Sequence, residues 1–154
     1  MYYYSTKQVR TNKGTFLELV KEQAIEYEST KIAKSDDVFE LMKALKVVER
    51  DAEQFWTICL DSKNKVCGIF LISQGCTNGA VVKSKEIYKR ALMVSATSVI
   101  FSHNHPSGDT TPSGQDIILT KNLVSAGELL GIKVLDHVIV SDTGFYSLKS
   151  NEDF

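Results

Sequence analysis

Residues Val99–Asp116 read VIFSHNHPSGDTTPSGQD: an apolar run, then two of the chain's three histidines, then a loop holding both of its prolines. The segment TSVIFSH is short and almost wholly apolar, the pattern of a strand buried on both faces. Side chains at i and i+2 of a strand share a face, so His103 and His105 can aim both imidazoles at one point. Pro106 cannot donate a ladder hydrogen bond and stops the strand. Ser107, Gly108 and Asp109 supply a turn, and Pro112 pre-sets the backbone just before Ser113, a helix N-cap. Asp116 then falls at the N3 position. At about 100° per residue it shares a side with Leu119 and Leu123 and faces inward.

An inward carboxylate needs a partner. Two imidazoles and one carboxylate, with water in the fourth position, form a recurrent ligand set for catalytic zinc, which lowers the pKa of its water to about 7. Only His137 remains beyond the pair, so a two-metal centre would lack nitrogen ligands, and one ion per chain is expected. A tight turn, a half-buried histidine and a helix-start aspartate would explain H-x-H alone. They do not explain a capped helix that sets an inward aspartate eleven residues after His105.

The flanking sequence supplies a scaffold. QFWTICLD and KVCGIFLIS, joined by SKNK, read as a β-hairpin rich in aromatic and β-branched residues. Before them, Ser35 is the expected N-cap of a helix. Asp36 and Asp37 sit in its first turn, Val38, Leu41, Met42 and Leu45 recur at helical spacing, and its end is expected near Arg50. Gly75 and Gly79 break the chain before AVVK, a short strand. Ser84 is expected to cap a helix with Ile87, Ala91 and Val94 on one face. The helix that follows Ser113 has Leu119, Leu123, Ala126 and Leu130 as its expected inner stripe, and Gly131 as its stop. KVLDHVIVS and FYSLK, separated by DTG, close the unit as strands. The order predicts an α/β (α+β) domain over residues 35–150, a mixed β-sheet flanked by helices. Residues 1–34 are an N-terminal extension of unassigned role, in which FLELVKEQAIEYES fits a strand or an amphipathic helix equally.

With 154 residues the chain suits one compact domain, and its apolar and charged fractions (43% and 24%) are those of an ordinary globular protein. A net charge of −1 lacks the basic excess of a phosphate-gripping surface. The local cluster Lys83, Lys85, Lys89 and Arg90 reads as a solvated helix face or a contact for an acidic partner. Cys59, Cys67 and Cys76 are odd in number and form no C-x-x-C pair, so neither a disulfide frame nor a thiolate zinc site is expected. The start MYYYSTKQVR has no apolar core of a signal peptide, and no run reaches membrane-spanning length. A cytoplasmic location without a membrane partner is the expectation.

His103-Asn104-His105, seven residues, Ser113, two residues, Asp116 resembles the H-x-H-x7-S-x2-D motif of the JAMM metalloproteases (MPN+ domains). SHNHPSGDTTPSGQDIILT, with KEIYKRAL before it and LLGIKVLDHVIV after it, resembles the RadC branch of that family. The resemblance covers roughly residues 35–150. Fuller RadC-type proteins carry an N-terminal helix-hairpin-helix region, for which residues 1–34 are too short. The resemblance implies a cytidine-deaminase-like JAB/MPN architecture, with Zn²⁺ bound by His103, His105 and Asp116. It implies that Ser113 hydrogen-bonds the oxyanion, and that an upstream glutamate takes the attacking water's proton and hands it to the leaving amine. The family places that glutamate at a strand entry, ahead of an aromatic and an apolar run. AEQFWTICLD fits, which points to Glu53; Glu49, one helical turn earlier, is the alternative, and Glu86 in a first helical turn is explained by the dipole. The implied ligand set is complete without His137, whose expected role is structural or in support of the metal site. Ser84-Lys85 stands where related sequences tend to have Pro-Arg, and lysine keeps the charge without the bidentate fork.

The function expected from these readings is a zinc-dependent hydrolase attacking a peptide or isopeptide bond of a protein or peptide. Two alternatives stand beside it. One is a DNA-repair or mobile-element protein working with DNA, its metal site non-proteolytic. The other is a metal-binding scaffold without catalysis.

Overall fold

The computed structural model describes residues 1–27, 29–75 and 82–154. In chain order its elements are β1 (Tyr2–Thr11), β2 (Gly14–Ala24), α1 (Ser35–Ala44), β3 (Gln54–Leu60), β4 (Val66–Gln74), α2 (Ser84–Met93), β5 (Ser98–Asn104), α3 (Gly114–Leu130), β6 (Lys133–Val140) and β7 (Phe145–Ser147). The strands form one mixed sheet in the order β2-β1-β4-β3-β5-β6-β7. β3 pairs antiparallel with both β4 and β5, whereas β5 and β6 run parallel, joined by α3 as the crossover. The expected α/β class with a mixed sheet between helices is therefore what the chain adopts.

β3 and β5 lie at the centre and are buried along their whole length, as their near-continuous apolar sequence requires. Period-2 alternation divides their side chains between two cores. Trp56, Ile58, Leu60 and Ile100 pack with Val38, Leu41 and Met42 of α1. Phe55, Cys59, Val99 and Phe101 pack with Ile87, Tyr88 and Ala91 of α2 and Leu123 of α3. The sheet thus carries α1 on one face and α2 with α3 on the other.

Several boundaries differ from expectation for local reasons. α1 stops at Ala44, short of Arg50. Val47 donates to the Met42 carbonyl (2.9 Å) and Lys46, at φ 57°, to that of Lys43 (2.8 Å), a Schellman closure that delivers the fully buried Val47 to the core. A lysine in the left-handed region costs about 1 kcal/mol, so no glycine marks this stop in the sequence. Ser35 is the first helical residue rather than the cap, because its hydroxyl donates to Asp136 (2.9 Å). Asp37 instead accepts from the amides of Ala33 and Lys34 (2.7 and 3.0 Å). Likewise α2 begins at Ser84 with Lys83 in the cap position. On α3 the buried residues are Thr120, Leu123 and Gly127, while Leu130 is 48% exposed. The helix makes its closest approach through Gly127, where a Cβ would meet the Ile132 carbonyl and sit 2.6 Å from the Tyr88 hydroxyl.

The segment left open between strand and helix is a hairpin, β1 with β2, joined to the rest through the parallel pairing of β1 with β4 at Tyr4 and Phe70. Cys76, Gly79 and the first half of AVVK (Ala80 and Val81) lie outside the described residues. Cys59 and Cys67 are free thiols, as expected. Among the described residues no helix is long and apolar enough to cross a membrane.

One buried carboxylate ties the α1 side together. Asp136 accepts from the hydroxyls of Ser35 and Ser147 (2.9 and 2.7 Å) and from the amides of His137 and Lys149 (2.7 and 3.1 Å). A buried charge is tolerated when its lone pairs are matched in this way.

Candidate metal centre

β5 ends where α3 begins, and the parallel crossover places the N-terminus of α3 over the carboxyl ends of β5 and β6. In open α/β sheets that end is where ligands bind. Here His103 and His105 share a face as the period of two requires, with Nε2 atoms 2.9 Å apart. Glu53, at the entry to β3, and Asp116, in the first turn of α3, join them. Ligand atoms of Glu53, His103, His105 and Asp116 all lie within 4.8 Å of one another. His103 Nε2 is 3.4 Å from Asp116 and 3.7 Å from Glu53, and His105 Nε2 is 3.8 Å from Asp116. The cluster is graded in depth: His103 is 1% exposed, Asp116 15%, His105 18% and Glu53 43%.

Each member is held by its own local structure. His105 donates from Nδ1 to the Asp109 carbonyl (2.7 Å) across the turn that Pro106 opens, which turns Nε2 toward the cluster. Asp116 and Ser113 form a capping box. Ser113 donates its amide and hydroxyl to Asp116 Oδ2 (2.7 and 2.6 Å), and Asp116 N returns a bond to Ser113 Oγ (3.2 Å). The carboxylate is thereby aimed at the histidines with Oδ1 free of the cap.

Glu53 is positioned from an unexpected place. Asn104, between the two histidines, alternates to the α1 face of the sheet, where it is buried. Its amide donates to the carbonyls of Arg50 and Ala52 (3.3 and 3.2 Å) and accepts from Gln54 N (2.7 Å). All three groups flank Glu53, and Gly75 N bonds its carbonyl (2.9 Å). The middle residue of H-x-H therefore pins the backbone that presents the glutamate.

Burial sets the protonation states. Desolvation pulls His103 down to about 4 against the pull of Asp116 the other way, so the ring is neutral at pH 7 and has a lone pair to offer an ion. Fully buried His137 is held well below the usual histidine range for the same reason. Glu53 is pushed above the usual carboxylate range by burial, which outweighs the opposing pull of His105, with a smaller upward push from Asp116. Two imidazoles and two carboxylates converging within a few ångströms are a donor set that suits a small divalent cation, so the residues present fit a metal. His103, His105 and Asp116 would hold it, with Glu53 beside it.

Comparison with known proteins bears on the same stretch. The model of the RadC-like JAB domain family matches residues 32–153. This chain belongs to that family. A UPF0758 protein of Methanosarcina barkeri is 44% identical over 128 residues, 83% of this chain and 56% of that protein. One of Desulforamulus reducens is 52% identical over 100 residues, 65% of this chain and 44% of its own length. A third, of Caldanaerobacter subterraneus subsp. tengcongensis, is 45% identical over 123 residues, 79% of this chain and 52% of its own. The chain thus spans about half the length of the curated relatives it matches. The match begins after the β1–β2 hairpin.

Within this RadC-like JAB domain, the structure brings together Glu53, His103, His105 and Asp116, with Ser113 bonded to the last. Glu49 is exposed in the turn after α1 and is not in the cluster. Glu86 is engaged on α2 with Lys89 and Arg90 (2.6 and 2.9 Å), which hold its carboxyl below the usual range. Two residues with no sequence signal enter the site, Asn104 and Thr120. Asn104 reads as part of a turn in the sequence, yet an amide inside a fully buried strand is itself a sign of a bonding partner. Thr120 follows Asp116 by one helical turn and faces His137.

Proposed function

We propose that this chain is a zinc-dependent hydrolase that cleaves a peptide or isopeptide bond in a protein or peptide. The observation that carries the reading is the convergence of two imidazoles and two carboxylates on one point, open to solvent on the Glu53 side. A zinc ion held there, one per chain, supplies Lewis acidity toward a carbonyl and lowers the pKa of water to about 7. The protein's own groups do the rest. Glu53, half-exposed and with its affinity for protons raised by burial, takes the proton of the attacking water and delivers it to the leaving amine. Ser113 turns its hydroxyl from Asp116 to the oxyanion, while its backbone amide keeps Asp116 capped. The free thiols Cys59 and Cys67 suit a reducing, cytoplasmic setting. A nucleic-acid role draws less support, because Lys89 and Arg90 of the basic cluster are already paired with Glu86.

The test has two arms. Elemental analysis of purified protein should find one zinc per chain, lost in His103→Ala. A mixed peptide and isopeptide library should be cleaved by the wild type and about 10²–10⁴ times more slowly by Glu53→Gln with zinc retained. Cleavage unchanged in Glu53→Gln removes the base assignment. A salt-sensitive shift of DNA, with no cleavage in any library, favours the DNA reading instead.

A further inference from the structure

Of the three histidines, His137 is the one the proposed chemistry leaves unused, yet it is fully buried beside the cluster. It stands on β6 opposite Phe101, with Phe55 and Phe101 edge-on to its ring. Its Nε2 lies 2.8 Å from His103 Nδ1, and its Nδ1 lies 2.6 Å from Thr120 Oγ1. Thr120 Oγ1 in turn lies 2.6 Å from the Asp116 carbonyl oxygen.

Counting protons fixes the direction of this chain. A carbonyl has no proton to give, and two oxygens stand 2.6 Å apart only with one between them, so the Thr120 hydroxyl donates to Asp116. That spends the only hydroxyl proton, and the short contact to His137 is therefore filled by His137 Nδ1–H. A neutral His137 then has only a lone pair at Nε2, which accepts from His103 Nδ1–H. His103, also neutral, is left with a lone pair at Nε2, facing that of His105 across 2.9 Å with no proton from either ring between them. The relay starts at one cluster residue and ends on the backbone of another, linking β5, β6 and α3 in a closed ring.

We propose that His137 and Thr120 are positioning residues of the metal centre. They lock His103 in the Nδ1–H tautomer, aim its free lone pair at the ion, and hold α3 in register so that Asp116 meets it. The proposal rests on the metal-centre reading above. Residues that orient a ligating histidine commonly affect metal affinity by about 10–100-fold. Here the orienting group is a neutral imidazole rather than a carboxylate, so it fixes the tautomer without adding negative charge to the ligand.

The experiment uses the full chain. With three histidines, all in this region, ¹⁵N-histidine labelling and long-range ¹H–¹⁵N spectra read each tautomer directly. The expected result at neutral pH is that His103 and His137 carry their protons on Nδ1, in metal-free and Zn²⁺-loaded protein alike. Thr120→Val, nearly isosteric, should weaken Zn²⁺ binding at least tenfold in chelator competition and shift His137 from that tautomer. Thr120→Ser should restore both. His137 found as the Nε2–H form, or Thr120→Val binding Zn²⁺ as tightly as wild type, overturns the relay while leaving the metal centre intact. Wild-type protein that takes up no Zn²⁺ overturns the metal-centre reading and this proposal with it. The melting temperature of metal-free Thr120→Val separates a loss of packing from a loss of tautomer control, because packing alone is not rescued spectroscopically by serine.

Discussion

The centre of the sheet and its β1–β2 edge are both regular strands, yet only the edge carries charged side chains (Lys7, Arg10, Glu18, Lys21 and Glu22), and the two behave as opposites. On β3 and β5 every residue is buried. Asn104 and His103 have the partners described above, and Ser102 donates to the Val138 carbonyl (2.8 Å). Among the described residues, the Thr57 hydroxyl alone of the polar side-chain groups on these two strands is buried without a partner. On β2, Phe16 and Leu17 are 53% and 38% exposed, and the outer ends of β1 and β2 pair mainly with each other. A two-stranded ribbon is marginal by itself in water. The difference teaches that strand propensity makes a strand, while burial from both faces makes a platform rigid enough to hold four donor groups within a few ångströms.

That contrast can be broken or sharpened by substitution. Phe101→Ala removes a fully buried ring beside Phe55 and His137 and should cost about 3–5 kcal/mol in urea unfolding. Gly127→Ala should cost about 1–3 kcal/mol, since the new methyl meets the Ile132 carbonyl and the Tyr88 hydroxyl, and should lower the melting temperature. Asn104→Ala should cost a similar 1–3 kcal/mol, about the penalty of unpairing buried backbone groups. It should retain metal but slow turnover, because only the Glu53 segment is released. Phe16→Ser on the hairpin should stay within about 0.5 kcal/mol of wild type by the same unfolding measurement. A Phe16→Ser loss as large as that of Phe101→Ala would show that the hairpin belongs to the core. Thiol alkylation mapped by mass spectrometry gives a finer reading. Burial pushes both Cys59 and Cys67 up, but only Cys59 is fully enclosed, so Cys67 should be modified first.

The same contrast explains what could be read in advance. The β5–α3 junction was legible because its signals are local: period two for His103 and His105, proline at the strand end, and an N-cap at Ser113 with Asp116 at N3. The hairpin was not, because most of FLELVKEQ is exposed and only Leu19 packs against a core, so nothing forces the segment into strict alternation. The end of α1 was overrun because its closure uses Lys46 where a glycine would have been the signal. Asn104 and Thr120 were missed because their bonding partners are remote. Asn104 meets residues fifty or more positions earlier, and Thr120 meets a histidine seventeen later. Local pattern names the donors; only the folded register shows what steadies them.

Asp136 has a consequence of a different kind. Through one carboxylate it clasps Ser35, near the start of the family-matched segment, to Ser147 and Lys149, near its end. The family-matched segment thus fastens its own first and last elements together with bonds that use no residue of the β1–β2 hairpin. The hairpin contributes to the same sheet from outside this clasp, with Tyr3 edge-on to Trp56 and Ile25 in the α1-side core.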